Sequence, residues 1–294
     1  MAKKRGVLFL NARAGSFSAA DESELRKLTG ENGLRVVDVV PGIDVREIVR
    51  SSLGQGLRTF VVAGGDGSIH HVAQALVGTE GILGILPIGT VNHMARDLLI
   101  PVNWREAFEI AVRGAIRQID TGIVNGTYFL NSVMVGIYPT LTDYREQFRS
   151  THSKWTAYAK AARLAMRQFR HVTLVIEMDG RLETIRTQLF VVSINSYDLS
   201  QAGVVALKTS LDDGRLTIYS FGFLSRMQFI RAAAKFYRGR ITEMDGFRRI
   251  RTKKLRVDFA SEALRISIDG ELIDAPPPLQ ISAVPSSLLV RGPG

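Results

Sequence analysis

Four short apolar runs mark the first part of the chain: Gly6–Leu10, Leu34–Val40, Arg58–Ala63 and Gly84–Ile88. They are nearly continuous in Val, Ile, Leu and Phe, the pattern of strands buried on both faces of a parallel sheet. Between them apolar residues recur at helical spacing. One stripe is Val45, Ile48, Val49 and Leu53, preceded by Asp44 and Glu47 in a capping-box arrangement. A second follows Ser68 with Ile69, Val72, Ala73, Leu76 and Val77; a third is Val91, Met94, Ala95 and Leu98, which Pro101 closes. Alternating strands and helices of this kind predict an α/β domain.

Beyond Ile119 the period changes. Tyr128–Ile137, Val172–Met178, Thr187–Ile194, Arg215–Phe221, Lys254–Phe259, Ala263–Ile268 and Leu279–Ala283 are short runs with strand patterning. Turn signals separate many of them, among them Asn125-Gly126, Asp179-Gly180, Asp212-Asp213-Gly214 and Asp269-Gly270. This predicts an antiparallel β domain, interrupted by helical stretches at Tyr158–Arg170 and Ser225–Tyr237.

Composition narrows the class. The chain has 294 residues, 46% hydrophobic and 22% charged, with no cysteine. Those are globular values, long enough for about two domains. No thiolate nucleophile, disulfide or cysteine-bound zinc is available. No apolar run approaches the ~18–20 residues of a membrane span, and the apolar part of the N-terminus is too short for a secretory signal. The expected location is therefore the cytoplasm. The net charge is +10 and uneven: Arg226–Arg256 carries +9 and Arg145–His171 carries +6, leaving −5 for the rest. Two basic segments on an otherwise acidic chain point to a polyanionic partner, with plain solvated helix faces as the alternative. The segments lack the interleaved aromatics of an RNA platform, so no nucleic-acid partner is expected.

The chemistry lies in glycine-rich loops. Gly64-Gly65-Asp66-Gly67-Ser68 leaves a strand and opens a helix. Glycines allow close backbone approach, and a helix start presents N–H groups and a positive dipole end to phosphate. Asp66 would repel phosphate unless a divalent cation lies between them, since Mg²⁺ is commonly held by one or two carboxylates plus phosphate oxygens. The plain alternative is a strand-to-helix turn capped by Ser68. Pro87-Ile88-Gly89-Thr90-Val91-Asn92 repeats the arrangement after the next strand, and Asn11 with Gly15 adds a third loop. Such loops converge at the carboxyl edge of an open α/β sheet, where these folds bind ligands. Asp269-Gly270-Glu271 reads equally well as a hairpin turn and as an acidic site.

GGDGS with its helical stripe, LPIGTVNHMARDLLIP, IDTGIVNGTYFLNSVMVGIY, LDDGRLTIY and ISIDGELID occur in that order. Together they resemble the diacylglycerol kinase catalytic-domain family, the bacterial lipid kinase and sphingosine kinase-like group related to NAD kinases and phosphofructokinases. The similarity runs from about Val7 to Val290. It implies a phosphofructokinase-like three-layer α/β nucleotide-binding domain over 1–120 and a β-sandwich lipid-substrate domain with inserted helices over 121–284, the segment 285–294 returning to the first. It implies a kinase that moves the γ-phosphate of ATP to a lipid hydroxyl.

By that resemblance Gly64, Gly65, Asp66, Gly67 and Ser68 match the nucleotide signature, Thr90 and Asn92 its companion motif, and Asn11 and Gly15 the first loop. Asp269 matches the general base and Glu271 a further acidic member; Asp66 and Glu271 would serve Mg²⁺, and Asp213 a structural magnesium in the second domain. The chain departs from the pattern at Ala12 and Val91, at His93 where members carry an acid, and at His70-His71, expected on the helix surface. A lipid acceptor implies a peripheral position at the inner membrane face. Arg163, Arg167 and Arg170 would form one docking patch and Arg248, Arg249, Arg251, Lys253, Lys254 and Arg256 another. An inactive nucleotide- or lipid-binding homologue and an NAD-kinase-like soluble kinase are the alternatives; a sandwich edge is available for a homodimer.

Overall fold

A computed structural model describes residues 5–12, 17–142, 156, 160, 171–200, 206–222, 224–238, 240–243 and 246–294. Gly15, Arg163, Arg167, Arg170 and most of the helix expected over 158–170 lie outside the described residues. The chain divides into two compact units, residues 1–121 with 285–294, and residues 122–284.

The first unit is α/β. In chain order it contains β1 (Gly6–Leu10), α1 (Ala19–Glu31), β2 (Leu34–Asp38), α2 (Val45–Gly54), β3 (Thr59–Gly64), α3 (Asp66–Leu76), β4 (Ile82–Pro87), α4 (His93–Asp97) and α5 (Trp104–Arg113). The sheet order is β2-β1-β3-β4, all parallel. Leu289 and Val290, near the end of β16 (Leu279–Gly292), add in parallel beside Ile82 and Leu83. Strand alternation sends Leu8, Leu10, Val61, Ala63 and Leu86 to one face, where Leu25 of α1 and Trp104 and Phe108 of α5 cover them. Val7, Phe9, Phe60, Val62 and Ile85 are equally buried on the other face, and α3 buries Ile69, Val72, Ala73 and Leu76. Burial on both faces is why these strands are continuously apolar.

Helix starts follow local chemistry. Ser18 accepts from the Asp21 N–H at 3.1 Å, and Asp44 from the Glu47 N–H at 2.9 Å. At α3 the cap is Gly65, in extended conformation and without a side-chain bond, so Ser68 lies inside the helix instead of capping it. The third stripe yields only the five-residue α4, because Asn92 adopts a left-handed conformation at its start (φ 57°) and Leu99 another just after it (φ 57°).

The second unit is a β-sandwich. One antiparallel layer contains residues 279–282 of β16, then β13 (Lys254–Asp258), β8 (Val172–Met178) and β9 (Arg181–Thr187). The other runs β12 (Phe247–Thr252), β11 (Leu216–Phe221), β10 (Leu189–Ile194), β7 (Ser132–Gly136), β14 (Leu264–Ile268) and β15 (Glu271–Ala275). Phe129, Val133, Val135, Leu174, Ile176, Phe190, Val192, Ile218, Leu255, Val257, Ile266 and Ile281 form its core. The long run expected over Tyr128–Ile137 breaks after β6 (Thr127–Phe129), which pairs with the end of β5 (Ala115–Val124). Asn125-Gly126, Asp179-Gly180 and Asp269-Gly270 all have positive φ at both residues, as two-residue hairpins require. Helix α6 (Arg226–Tyr237) lies between β11 and β12.

Candidate functional site

In the first unit the two glycine loops meet. Parallel pairing sets Gly64 beside Pro87, so the chain leaves β3 and β4 at the same level. Gly65 and Gly89 then face one another: a Cβ on Gly89 would lie 2.5 Å from the Gly65 Cα and 2.8 Å from Asn92 Oδ1. A Cβ on Gly64 would meet the Ser68 side chain at 2.7 Å. Gly64 and Gly89 are thus required by packing. Asn92 closes the second loop: its Nδ2 donates to the carbonyls of Pro87 at 3.1 Å and Gly89 at 3.0 Å. Its backbone N–H donates to Asp66 Oδ2 at 3.0 Å. Asn11, whose Nδ2 donates to Ser68 Oγ at 3.0 Å, joins the first loop to them. Thr90 is exposed.

Asp66 Oδ1 is buried and accepts no hydrogen bond, while Oδ2 is taken by Asn92. An orphaned carboxylate oxygen beside a phosphate-type loop fits a divalent cation. Among the described residues no three Asp, Glu or His side chains gather as a metal site, so a cation there would need ligand phosphate oxygens to complete its shell. His70 does not follow expectation. It is 3% exposed with Nε2 at 2.7 Å from Gln74 Nε2, one helical turn away, whereas His71 is on the surface. His93 opens α4 and is half-buried.

In the second unit Asp269 occupies the first position of its hairpin turn (φ 48°). Its Oδ2 accepts from the Leu130 N–H at 2.6 Å, and its Oδ1 from the N–H groups of Asn131 and Ser132, both at 2.8 Å. Three backbone donors fix the carboxylate's position and stabilise its charge. They come from the interruption between β6 and β7, which the sequence reading ran through as one strand. Backbone donors leave no residue-type signal, so nothing in the composition of that segment announces them. Glu271 begins β15 and is exposed. Another carboxylate missed by the motifs, Asp120, is 3% exposed in the first unit and accepts from the Ser286 N–H at 2.9 Å.

Asp213 is held by two arginines. Arg251 Nη2 donates to its Oδ2 at 2.5 Å and the Arg215 N–H to its Oδ1 at 3.0 Å. A guanidinium thus balances the charge of Asp213.

The run Arg248–Arg256 does not form a single surface. Alternation along β12 sends Arg248 to one face and Arg249 and Arg251 to the other. Arg248 forks onto Glu183, donating from Nη2 to Oε2 at 2.9 Å and from Nη1 to Oε1. This hydrogen bonding holds the Glu183 carboxyl below its usual range. Arg256 Nη2 reaches Asp258 at 3.4 Å. Three of the six cations are thus paired with acids.

Residues 5–124 match the diacylglycerol kinase catalytic domain, and residues 131–291 match the YegS C-terminal NAD kinase beta sandwich-like domain. The chain belongs to the diacylglycerol kinase catalytic-domain family. It is 29% identical over 273 residues to a diacylglycerol kinase of Mycobacterium tuberculosis, covering 89% of this chain and 86% of that one. It is 30% identical over 222 residues to a diacylglycerol kinase of Bacillus subtilis, covering 73% and 72%. The fold agrees with the crystal structure of a diacylglycerol kinase from Bacillus anthracis strain Sterne at a TM-score of 0.72, 18% identity and coverage of 99% and 98%. As a member of this lipid kinase family the chain is an enzyme whose phosphoryl donor is ATP. Among the described residues no helix is long and apolar enough to cross a membrane.

Proposed function

We propose that this chain transfers the γ-phosphate of ATP, with Mg²⁺, to the hydroxyl of a diacylglycerol-like membrane lipid. The observation that carries the reading is the junction of the two glycine loops at Gly65 and Gly89, with Asp66 Oδ1 buried and unpaired beside it. Phosphoryl transfer asks the protein mainly for positioning and charge stabilisation. The N–H groups of Gly65–Ser68 and the Thr90 hydroxyl hold phosphate oxygens, and Asn11 and Asn92 keep the loops in register. Asp66 is the residue of the first unit that would hold Mg²⁺, which when bound neutralises charge on the transferring phosphate.

Asp269 receives the proton of the acceptor hydroxyl. Backbone N–H groups of Leu130, Asn131 and Ser132 donate to its two oxygens and hold the carboxylate in place for that proton. A carboxylate is a far weaker base than an alkoxide, so the proton leaves as the new O–P bond forms and not before. The first unit is read as nucleotide-binding and the second as acceptor-binding. Radiolabelled ATP with a total lipid extract, with and without Mg²⁺, tests the reading. A labelled lipid that requires Mg²⁺ supports it. A labelled soluble product would indicate an NAD-kinase-like enzyme, and no labelled product an inactive homologue; either overturns it.

A further inference from the structure

Helix α6 presents an outward face that the second unit leaves uncovered. Met227 and Ile230, one turn apart, are 59% and 53% exposed. Ala234, Arg231 and Arg238 are also exposed and continue the same face at helical spacing. The opposite side is anchored: Ala232 is buried with Phe221, Leu224 and Ile241, and Lys235 Nζ donates to the Glu243 carbonyl at 3.3 Å. Arg240, after this face, reaches Glu243 at 3.6 Å. Apolar side chains along the centre with cations beside them and no acid on the helix is the arrangement of a helix that lies in an anionic bilayer surface.

We infer that α6 is the membrane-docking element of this protein, inserting Met227 and Ile230 among acyl chains while Arg231 and Arg238 meet anionic headgroups. This rests on the reading of the acceptor as a bilayer lipid. It moves docking away from the Arg248–Arg256 run, three of whose cations are paired with acids. A helix offers both apolar anchors and cations on one side, whereas a strand divides them between two.

Co-sedimentation of the full chain with phosphatidylglycerol/phosphatidylcholine vesicles tests the assignment, with phosphorylation of a short-chain, water-soluble diacylglycerol measured in parallel. Met227→Glu with Ile230→Glu is expected to weaken vesicle binding at least about tenfold. Arg231→Gln with Arg238→Gln is expected to flatten the loss of binding with added salt. Both are expected to keep wild-type turnover of the soluble lipid and the wild-type circular dichroism spectrum. Wild-type vesicle binding by both folded variants overturns the docking assignment whatever the turnover. A vesicle-binding defect in a chain that phosphorylates no lipid overturns the kinase reading and leaves docking standing.

Discussion

The backbone N–H of Asn92 donates to Asp66 Oδ2 at 3.0 Å, so the two glycine loops of the first unit are joined through the one carboxylate they contain. Asn92 does this from a left-handed backbone (φ 57°), while its carboxamide bonds the carbonyls of Pro87 and Gly89. Two side-chain bonds and an unusual backbone thus come from a single residue. Asn92→Gly keeps the left-handed conformation and loses the bonds, which are worth about 1–3 kcal/mol. Asn92→Ala loses both and should be the less stable in urea. The KM for ATP should rise in each, and an unchanged KM would separate this loop from nucleotide binding.

The facing glycines should differ in tolerance. A Cβ on Gly65 finds the Gly89 Cα at 3.7 Å, ordinary contact, whereas a Cβ on Gly89 lies 2.5 Å from backbone. Gly65→Ala is expected within about 1 kcal/mol of wild type, and Gly89→Ala to lose several times that. Thermal unfolding of the pair decides it; equal stabilities would mean that the loops can spread.

Asp269→Asn should lower kcat about 10²–10⁴-fold, the usual contribution of a positioned base. Asparagine keeps one acceptor oxygen for the three N–H donors, so stability should also fall by about 1–3 kcal/mol. ATP affinity, measured by calorimetry, should stay near wild type. A folded variant with full turnover sinks the assignment of Asp269.

Arg251 and Asp213 should behave as a pair. Arg251→Met and Asp213→Asn are each expected to destabilise, and the double variant by less than their sum, with a coupling of about 0.5–1 kcal/mol. Chelator should leave wild-type Tm unchanged if the guanidinium does the work of a metal there. A chelator-sensitive Tm that Asp213→Asn abolishes would restore the metal site.

The fork between Arg248 and Glu183 gives a pH signature. Because the folded Glu183 carboxyl lies below its ordinary value of 4.5, its contribution is present above that pH and lost as pH falls through the folded value. Glu183→Gln should therefore melt below wild type at pH 7, and the gap should close as pH falls below 4.5. A gap independent of pH would mean that packing, not charge, makes the contact.

The hydrophobic period read well wherever burial was one-sided or complete. The strands of the first unit, the stripe of α3 and the Asp-Gly and Asn-Gly hairpins all lie within a few residues of expectation. Four strands were not recognised: β5, β9, β12 and β15. In β12, Phe247–Thr252, three of six residues are arginines and only Thr252 is buried, so an edge strand reads as a basic tail. α1 and α5 were missed as well, the first because its apolar positions are few among charged ones. His70 is expected on the surface because it falls outside the apolar stripe of its helix; it is buried, and Gln74, one turn on, lies at 2.7 Å from its ring. The glycine loops were legible because glycine spacing is a backbone requirement written in sequence. The donors to Asp269 and the partner of Asp213 were not, since the former are main-chain atoms and the latter is remote along the chain.

β16 has a consequence for biosynthesis. Leu289 and Val290 fill the place beside Ile82 and Leu83 in a sheet whose other strands leave the ribosome first. Until they arrive, β4 presents an open parallel edge of buried apolar residues. The α/β unit is therefore vulnerable to self-association throughout synthesis, and a transcript cut short within β16 should yield aggregate where full-length product is recovered intact.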